Sequence, residues 1–236
     1  MTEQIALIDS CKLRLHEQYE IRRVDEVFQS LQNEKILKNP IIVVKMEFGL
    51  NYLILDGVHR FLSLTRLGYT QIPCQILEQK DFILQSWSHV VEYGDWVESL
   101  SDKVEKYNGA PESESEKIRI WVGNNHDHRE IWATKFPPSS IHELVTEWNE
   151  ITSLYINRYP LTRVEHPFVS MAGENKIIVQ YPSLQFDEII QLVREGCVLP
   201  PGVTRFIVHH KFENVNIRLS ELDRSQFLEE SSLQLK

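Results

Sequence analysis

The sequence holds only three cysteines, Cys11, Cys74 and Cys197, far apart and without a C-x-x-C pair or accompanying histidines at metal-ligand spacing. That excludes a disulfide framework and a structural zinc site, and the expectation is three buried thiols. Positive charge is also scarce: 25 Lys and Arg against 34 Asp and Glu leave a formal net charge of −9. A protein whose main partner is a phosphate backbone needs clustered cations, so nucleic acid is not expected as a partner. No apolar run approaches the length of a membrane span, and the opening MTEQIALIDSCKLRL breaks its apolar residues with charges. Neither a membrane helix nor a signal peptide is expected, and the cytoplasm is the expected compartment. No internal repeat is visible.

What is present is ordinary globular usage, 42% apolar and 25% charged in 236 residues, enough for a good core in one large domain or two small ones. Two lobes are expected, 1–108 and 118–236, separated by the polar, acidic stretch NGAPESESEK. In the first lobe IALID, IIVVKM and YLILD read as strands. Val24, Val27, Phe28 and Leu31 recur at helical spacing, ended by the Lys38-Asn39-Pro40 break. A second helix carries Phe61, Leu62, Leu64 and Leu67, with Gly68 at its left-handed end, before the strand IPCQIL. In the second lobe IRIWVG and KIIVQY read as strands. Ser140 and Glu143 fit a capping box opening a helix whose Ile141, Leu144, Val145, Trp148, Ile151 and Tyr155 share one face. A further helix over Phe186 to Val193 ends at Gly196, and Pro200-Pro201-Gly202 leads Thr204 and Arg205 into the strand TRFIV. His126 and His128 in NNHDHRE read as a solvated loop in preference to a metal pair.

The segment YLILDGVHRFLSLTRLGY concentrates the chemistry. A glycine-opened strand-to-helix junction presents unpaired helix N–H groups and a partial positive charge, a natural anion site. His59 and Arg60 add donors there, and Gly57 allows close backbone approach. Asp56 would repel an anion unless it holds a metal ion or receives a proton. A plain turn, in which Asp56 caps the helix and pairs with Arg60, accounts for the same residues, and the pattern alone leaves both readings open.

LILDGVHRFLSLTRLGYTQIPCQIL resembles the phosphate-binding strand, turn and helix of the ParB/sulfiredoxin-like superfamily. Sulfiredoxins carry a cysteine before His-Arg, where Val58 stands, and ParB proteins carry a different turn with a DNA-binding domain. Asp-Gly-Val-His-Arg, together with Leu15-His16-Glu17, Lys38-Asn39-Pro40-Ile41, Ser86-Trp87-Ser88-His89 and Pro201-Gly202-Val203-Thr204-Arg205-Phe206, is similar to the free L-serine kinases, a branch that includes an enzyme of siderophore biosynthesis. The resemblance spans Ile5 to about Leu219.

It implies an α/β (α+β) protein, with a ParB/sulfiredoxin-like N-terminal lobe and a second α/β lobe closing the active-site cleft. The implied reaction moves the terminal phosphoryl group of ATP or ADP, with Mg²⁺, to L-serine. On the family pattern Glu17 is the base, accepting the hydroxyl proton late because a carboxylate is too weak to ionise serine beforehand. Asp56 holds Mg²⁺ or the serine hydroxyl. Gly57, Val58, His59 and Arg60 cradle phosphates, with Lys38 a weaker contact. Thr204 and Arg205 hold the serine carboxylate, and Trp87 or His89 closes the pocket; Trp87 reads equally as core. The rivals are a ParB-like nucleotide-sensing DNA-binding regulator and a kinase for another small hydroxyl compound. The donor, and the choice between monomer and homodimer, stay open.

Overall fold

The computed structural model describes residues 5–47, 51–100, 103–107, 118–124, 127–134, 140–165 and 175–222. The contacts divide the chain into two units, Met1–Ile83 with Phe206–Lys236, and Leu84–Arg205. The elements run β1 (Ile5–Asp9), β2 (Leu13–Arg14), α1 (Ile21–Glu34), β3 (Ile36–Leu37), β4 (Ile41–Lys45), β5 (Tyr52–Asp56), α2 (Val58–Arg66), β6 (Gln71–Leu77) and β7 (Phe82–Glu92). They continue with β8 (Val104–Tyr107), β9 (Arg119–Asn124), β10 (Asp127–Thr134), α3 (Ile141–Ser153), β11 (Leu161–Glu165), β12 (Lys176–Gln180), α4 (Phe186–Arg194), β13 (Thr204–Val208) and β14 (Ile217–Arg218).

In the first unit a five-stranded sheet has the order β1-β6-β4-β5-β2. Strand β4 is central, parallel to β6 and antiparallel to β5. Its run IIVV is buried throughout, as a strand covered on both faces must be. Helix α2 contributes Phe61 and Leu64 to the core that also holds Ile41, Val43, Ile54 and Ile72. Ser63 of α2 donates to the Val24 carbonyl of α1 at 3.0 Å.

Helix α1 ends earlier than expected, at Lys35 in the left-handed conformation, because residues 36–37 pair with β14. That pairing, with Leu219 and Leu222 in the same core as Leu64 and Tyr69, groups the returning C-terminal segment with the first unit. The grouping therefore runs differently from the expected 1–108 and 118–236 division; residues 84–107 lie with the second unit, and the expected linker 108–117 lies outside the described residues. Burial by a distant segment leaves no local mark in composition.

A seven-stranded sheet has the order β11-β7-β12-β9-β10-β8, with β13 on β7, and most of its residues belong to the second unit. The stripe on α3 is core as expected, with Leu144, Val145, Trp148, Ile151 and Tyr155 buried, and the Ser140 hydroxyl accepts from the Glu143 N–H at 3.2 Å. Gly68 (φ +86°) and Gly196 (φ +75°) take the left-handed conformation at helix ends.

Two expectations are corrected. Asp127–Thr134, with His128, is a strand paired to β9 and β8 and not a loop, since alternate residues meet partners on both sides; His126 lies outside the described residues. Of the three thiols only Cys74 is fully buried, while Cys11 is exposed and Cys197 half-buried. Cys11 sits in a short 3-10 turn after β1, where its N–H bonds Asp9 Oδ1 at 3.0 Å. No helix among the described residues is long and apolar enough to cross a membrane.

Candidate active site

Strand β5 ends at Asp56 and α2 begins at Val58, so the whole change of direction falls on Gly57. Its φ of +97° is left-handed, and a Cβ there would stand 2.9 Å from Arg60 Nη2. Both facts favour glycine. The first helical bond runs from the Phe61 N–H to the Gly57 carbonyl at 2.9 Å, so the helical ladder begins only at Phe61 and the turn before it is the positive end of the helix. No side chain caps this helix. The plain-turn reading thus loses its cap, although the Asp56–Arg60 pair exists at 3.5 Å.

Arg60 is more anchored than a free phosphate fork would be. Its Nη1 donates to the Asn39 and Pro40 carbonyls at 2.8 and 2.7 Å, and burial lowers its pKa, partly offset by Asp56. It ties the helix tip to the 39–40 turn. Lys38, just before that turn, pairs with Glu34 at 2.8 Å and is largely exposed.

A residue outside every sequence pattern joins the constellation. Lys211 Nζ lies 3.4 Å from Asp56 Oδ2, so the carboxylate sits between two cations, Arg60 and Lys211. The stretch VHHKFEN around Lys211 has no periodicity or motif to draw attention to it.

Glu17 reaches the same end of the sheet by strand pairing. β2 runs parallel to β5, with Leu13 opposite Tyr52 and Arg14 opposite Leu53. The imidazole of His16 then bonds the Ile54 carbonyl through Nδ1 at 2.9 Å, carrying the next residue towards the strand end that holds Asp56. Glu17 Oε1 is 3.9 Å from His16 Nε2, and its side chain is 14% exposed. Because Nδ1 donates to a carbonyl, Nε2 is the acceptor nitrogen of the neutral ring. Burial lowers the His16 pKa, opposed by the neighbouring Glu17 and the Ile54 bond.

The remaining predicted residues belong to the second unit. Arg205 lies over the Trp87 ring, 4.6 Å from its centroid; it is paired with Glu165 and reaches Gln85 Oε1 at 3.4 Å. Thr204, half-buried, opens β13. His89 is fully buried, with Nδ1 at 2.8 Å from the Tyr155 hydroxyl and Nε2 at 2.8 Å from the Gly202 carbonyl. Its ring holds the turn that precedes Thr204. Tyr155 and Tyr181 complete this buried network, and desolvation pushes the Tyr181 hydroxyl up to about 12. Gly202 (φ +74°) packs directly on the Arg163 guanidinium, where a Cβ would stand 1.9 Å from Nε.

A cavity of about 710 Å³ in the first unit opens among Glu34, Lys35, Tyr69, Arg218 and Leu222, and no candidate site residue lines it. No group of three or more His, Cys, Asp or Glu among the described residues makes a ready cage for a metal ion. One carboxylate, Asp56, beside the α2 tip would suit Mg²⁺ carried with a nucleotide, since that ion takes one or two carboxylates and fills its shell with phosphate oxygens and water.

No family model matches the chain. Among characterised proteins it is similar to the ATP-dependent L-serine kinase SbnI of Staphylococcus aureus, 25% identical over 228 residues, covering 97% of this chain and 87% of that protein. It is 29% identical to an ATP-dependent L-serine kinase of Staphylothermus marinus over 92% of this chain and 90% of that protein. It is 21% identical to the ADP-dependent L-serine kinase SerK of Thermococcus kodakarensis over 91% of each. Among solved structures, C-terminally truncated SbnI from Staphylococcus aureus matches with a TM-score of 0.80 at 22% identity, covering 97% of this chain and 93% of that one. A free serine kinase in complex with AMP matches at 0.73 and 21% identity, covering 94% and 95%. At such identities the structural likeness establishes the fold. The chain is similar to L-serine kinases over nearly its whole length and shares the mixed α/β fold of the matching solved structures.

Proposed function

We propose that this protein is a phosphotransferase that moves the terminal phosphoryl group of ATP or ADP to free L-serine, giving O-phospho-L-serine in the cytoplasm. The observation that carries the reading is the similarity to L-serine kinases along 97% of the chain. The uncapped α2 tip at Gly57, at the same strand end as Glu17, supports it.

The α2 tip, Gly57 to Arg60, binds the nucleotide's outer phosphates at its positive end, with Lys211 adding a cation. The serine hydroxyl oxygen attacks the terminal phosphorus, the bond to the bridging oxygen breaks, and ADP or AMP leaves with that electron pair. The hydroxyl proton passes to the Glu17 carboxylate. Phosphoryl transfer asks chiefly for alignment and neutralised charge, so a weak base that accepts the proton late is sufficient. Asp56 would hold Mg²⁺ brought in with the nucleotide, and that ion would neutralise charge on the phosphate oxygens. Thr204 and Arg205 recognise the serine carboxylate, and Trp87 backs the Arg205 guanidinium.

Purified protein incubated with L-serine, Mg²⁺ and either ATP or ADP is expected to give a phosphoserine signal by phosphorus NMR, lost in Glu17→Ala. No phosphoserine with either donor would overturn the assignment. A DNA-binding role has nothing comparable behind it, given a net charge of −9.

A further inference from the structure

An amino acid presents a carboxylate and an ammonium group two bonds apart, and a site selective for it needs an anion as well as Arg205. Strand β11 provides one. In its antiparallel pairing with β7, Glu165 stands directly opposite Trp87, so the two side chains leave the same face of the sheet. Gln85, two residues before Trp87, shares that face. Arg205 completes the group: its guanidinium covers the indole, one Nη2 contacts Glu165 Oε1, and Nη1 reaches Gln85.

The exposures differ within the pair. The Arg205 side chain is sheltered, 18% exposed, while that of Glu165 is 54% exposed. A guanidinium stacked on an aromatic ring keeps its edge available to a carboxylate. The glutamate carboxylate is the more open of the two to solvent and to a ligand.

We propose that Glu165 is a specificity-determining residue that receives the substrate's α-ammonium group while Arg205 holds its α-carboxylate. The ion pair opens to admit the zwitterion, exchanging one salt link for two. This rests on the reading of the protein as a serine kinase and names the residue that separates an amino acid from a hydroxy acid of the same length. Nothing in the segment LTRVE marks that role in the sequence.

The test measures KM for L-serine in wild type, Glu165→Gln, Glu165→Asp and Arg205→Gln, with 3-hydroxypropionate, which has the hydroxyl and carboxylate but no ammonium, as a competitive inhibitor. Glu165→Gln is expected to raise the serine KM by about 10- to 100-fold, the scale of one charge-assisted hydrogen bond. Nucleotide KM should be unchanged and kcat should move by less. Inhibition by 3-hydroxypropionate should not weaken, Glu165→Asp should recover part of the serine affinity, and Arg205→Gln should weaken both ligands. An unchanged or lower serine KM in Glu165→Gln overturns the proposal, the latter marking Glu165 as a plug on Arg205. Equal weakening of both ligands also overturns it, because Glu165 would then only steer Arg205. Wild-type protein that makes no phosphoserine removes the kinase reading itself, an outcome distinct from an insensitive Glu165 variant of an active enzyme.

Discussion

Lys211 Nζ lies 3.4 Å from Asp56 Oδ2, although 155 residues separate them in the chain. The lysine comes from the segment that returns to the first unit, and it supplies a flexible cation beside a helix tip that has no side-chain cap. Replacing it with alanine is expected to raise the nucleotide KM by about 10-fold or more, as loss of a phosphate contact does, with serine KM little changed. Steady-state kinetics with both donors checks this. A nucleotide KM equal to that of wild type would restrict Lys211 to pairing with Asp56.

Glu17→Gln keeps the size of the side chain and removes the proton acceptor. Its kcat should fall by about 10² to 10⁴, the usual worth of a positioned base, while nucleotide affinity measured by calorimetry stays within a few-fold. A variant that retains kcat would show that the proton leaves by another route.

Gly57→Ala forces a Cβ into a left-handed residue and to within 2.9 Å of Arg60 Nη2. A cost on the order of 1–3 kcal/mol is expected, read as a lower urea midpoint, together with a raised nucleotide KM because Arg60 must move. Unaltered stability would mean that the turn tolerates a side chain.

The buried His16 predicts a pH dependence with a definite sign. Its folded-state pKa lies below the ordinary 6.5 because the charged ring would be desolvated. The unfolded chain therefore takes up the proton first, and the stability this group contributes, complete above pH of about 6.5, is lost as pH falls towards the folded-state value. The slope from one such group is at most about 1.4 kcal/mol per pH unit. His16→Asn, whose amide can still bond the Ile54 carbonyl, should show a flatter fall in urea-denaturation stability between pH 7 and 5. Identical slopes would remove His16 as the source.

Local signals carried a large part of the fold. The β4 run IIVV, the stripe on α3 and the glycines at 57, 68 and 196 are each determined by neighbours within one or two turns, so periodicity and left-handed preference mark them. The strand-to-helix turn at Gly57 and the start of α2 were legible for the same reason. Arg60 was legible as a cation, yet its hold on the Asn39 and Pro40 carbonyls was not, because those acceptors lie twenty residues away. His89 enters the sequence reading, through the resemblance, as a residue that closes the substrate pocket; the packing of Tyr155 and Gly202 against it shows a buried brace. β10 hid in a polar stretch because strand pairing outweighed its composition.

By itself the amino-acid sequence determined the α/β character and the helix tip after Asp56, since each depends on short-range backbone preference, whereas Glu17 and Arg205 were singled out by the resemblance to the serine kinases. Tertiary structure alone decided that Lys211 joins Asp56, that Glu165 faces Trp87 and Arg205, and that Leu219 and Leu222 complete the first unit's core. Those contacts join residues tens to more than a hundred positions apart, and their free energy comes from burial and charge pairing that exist only once the sheets have formed.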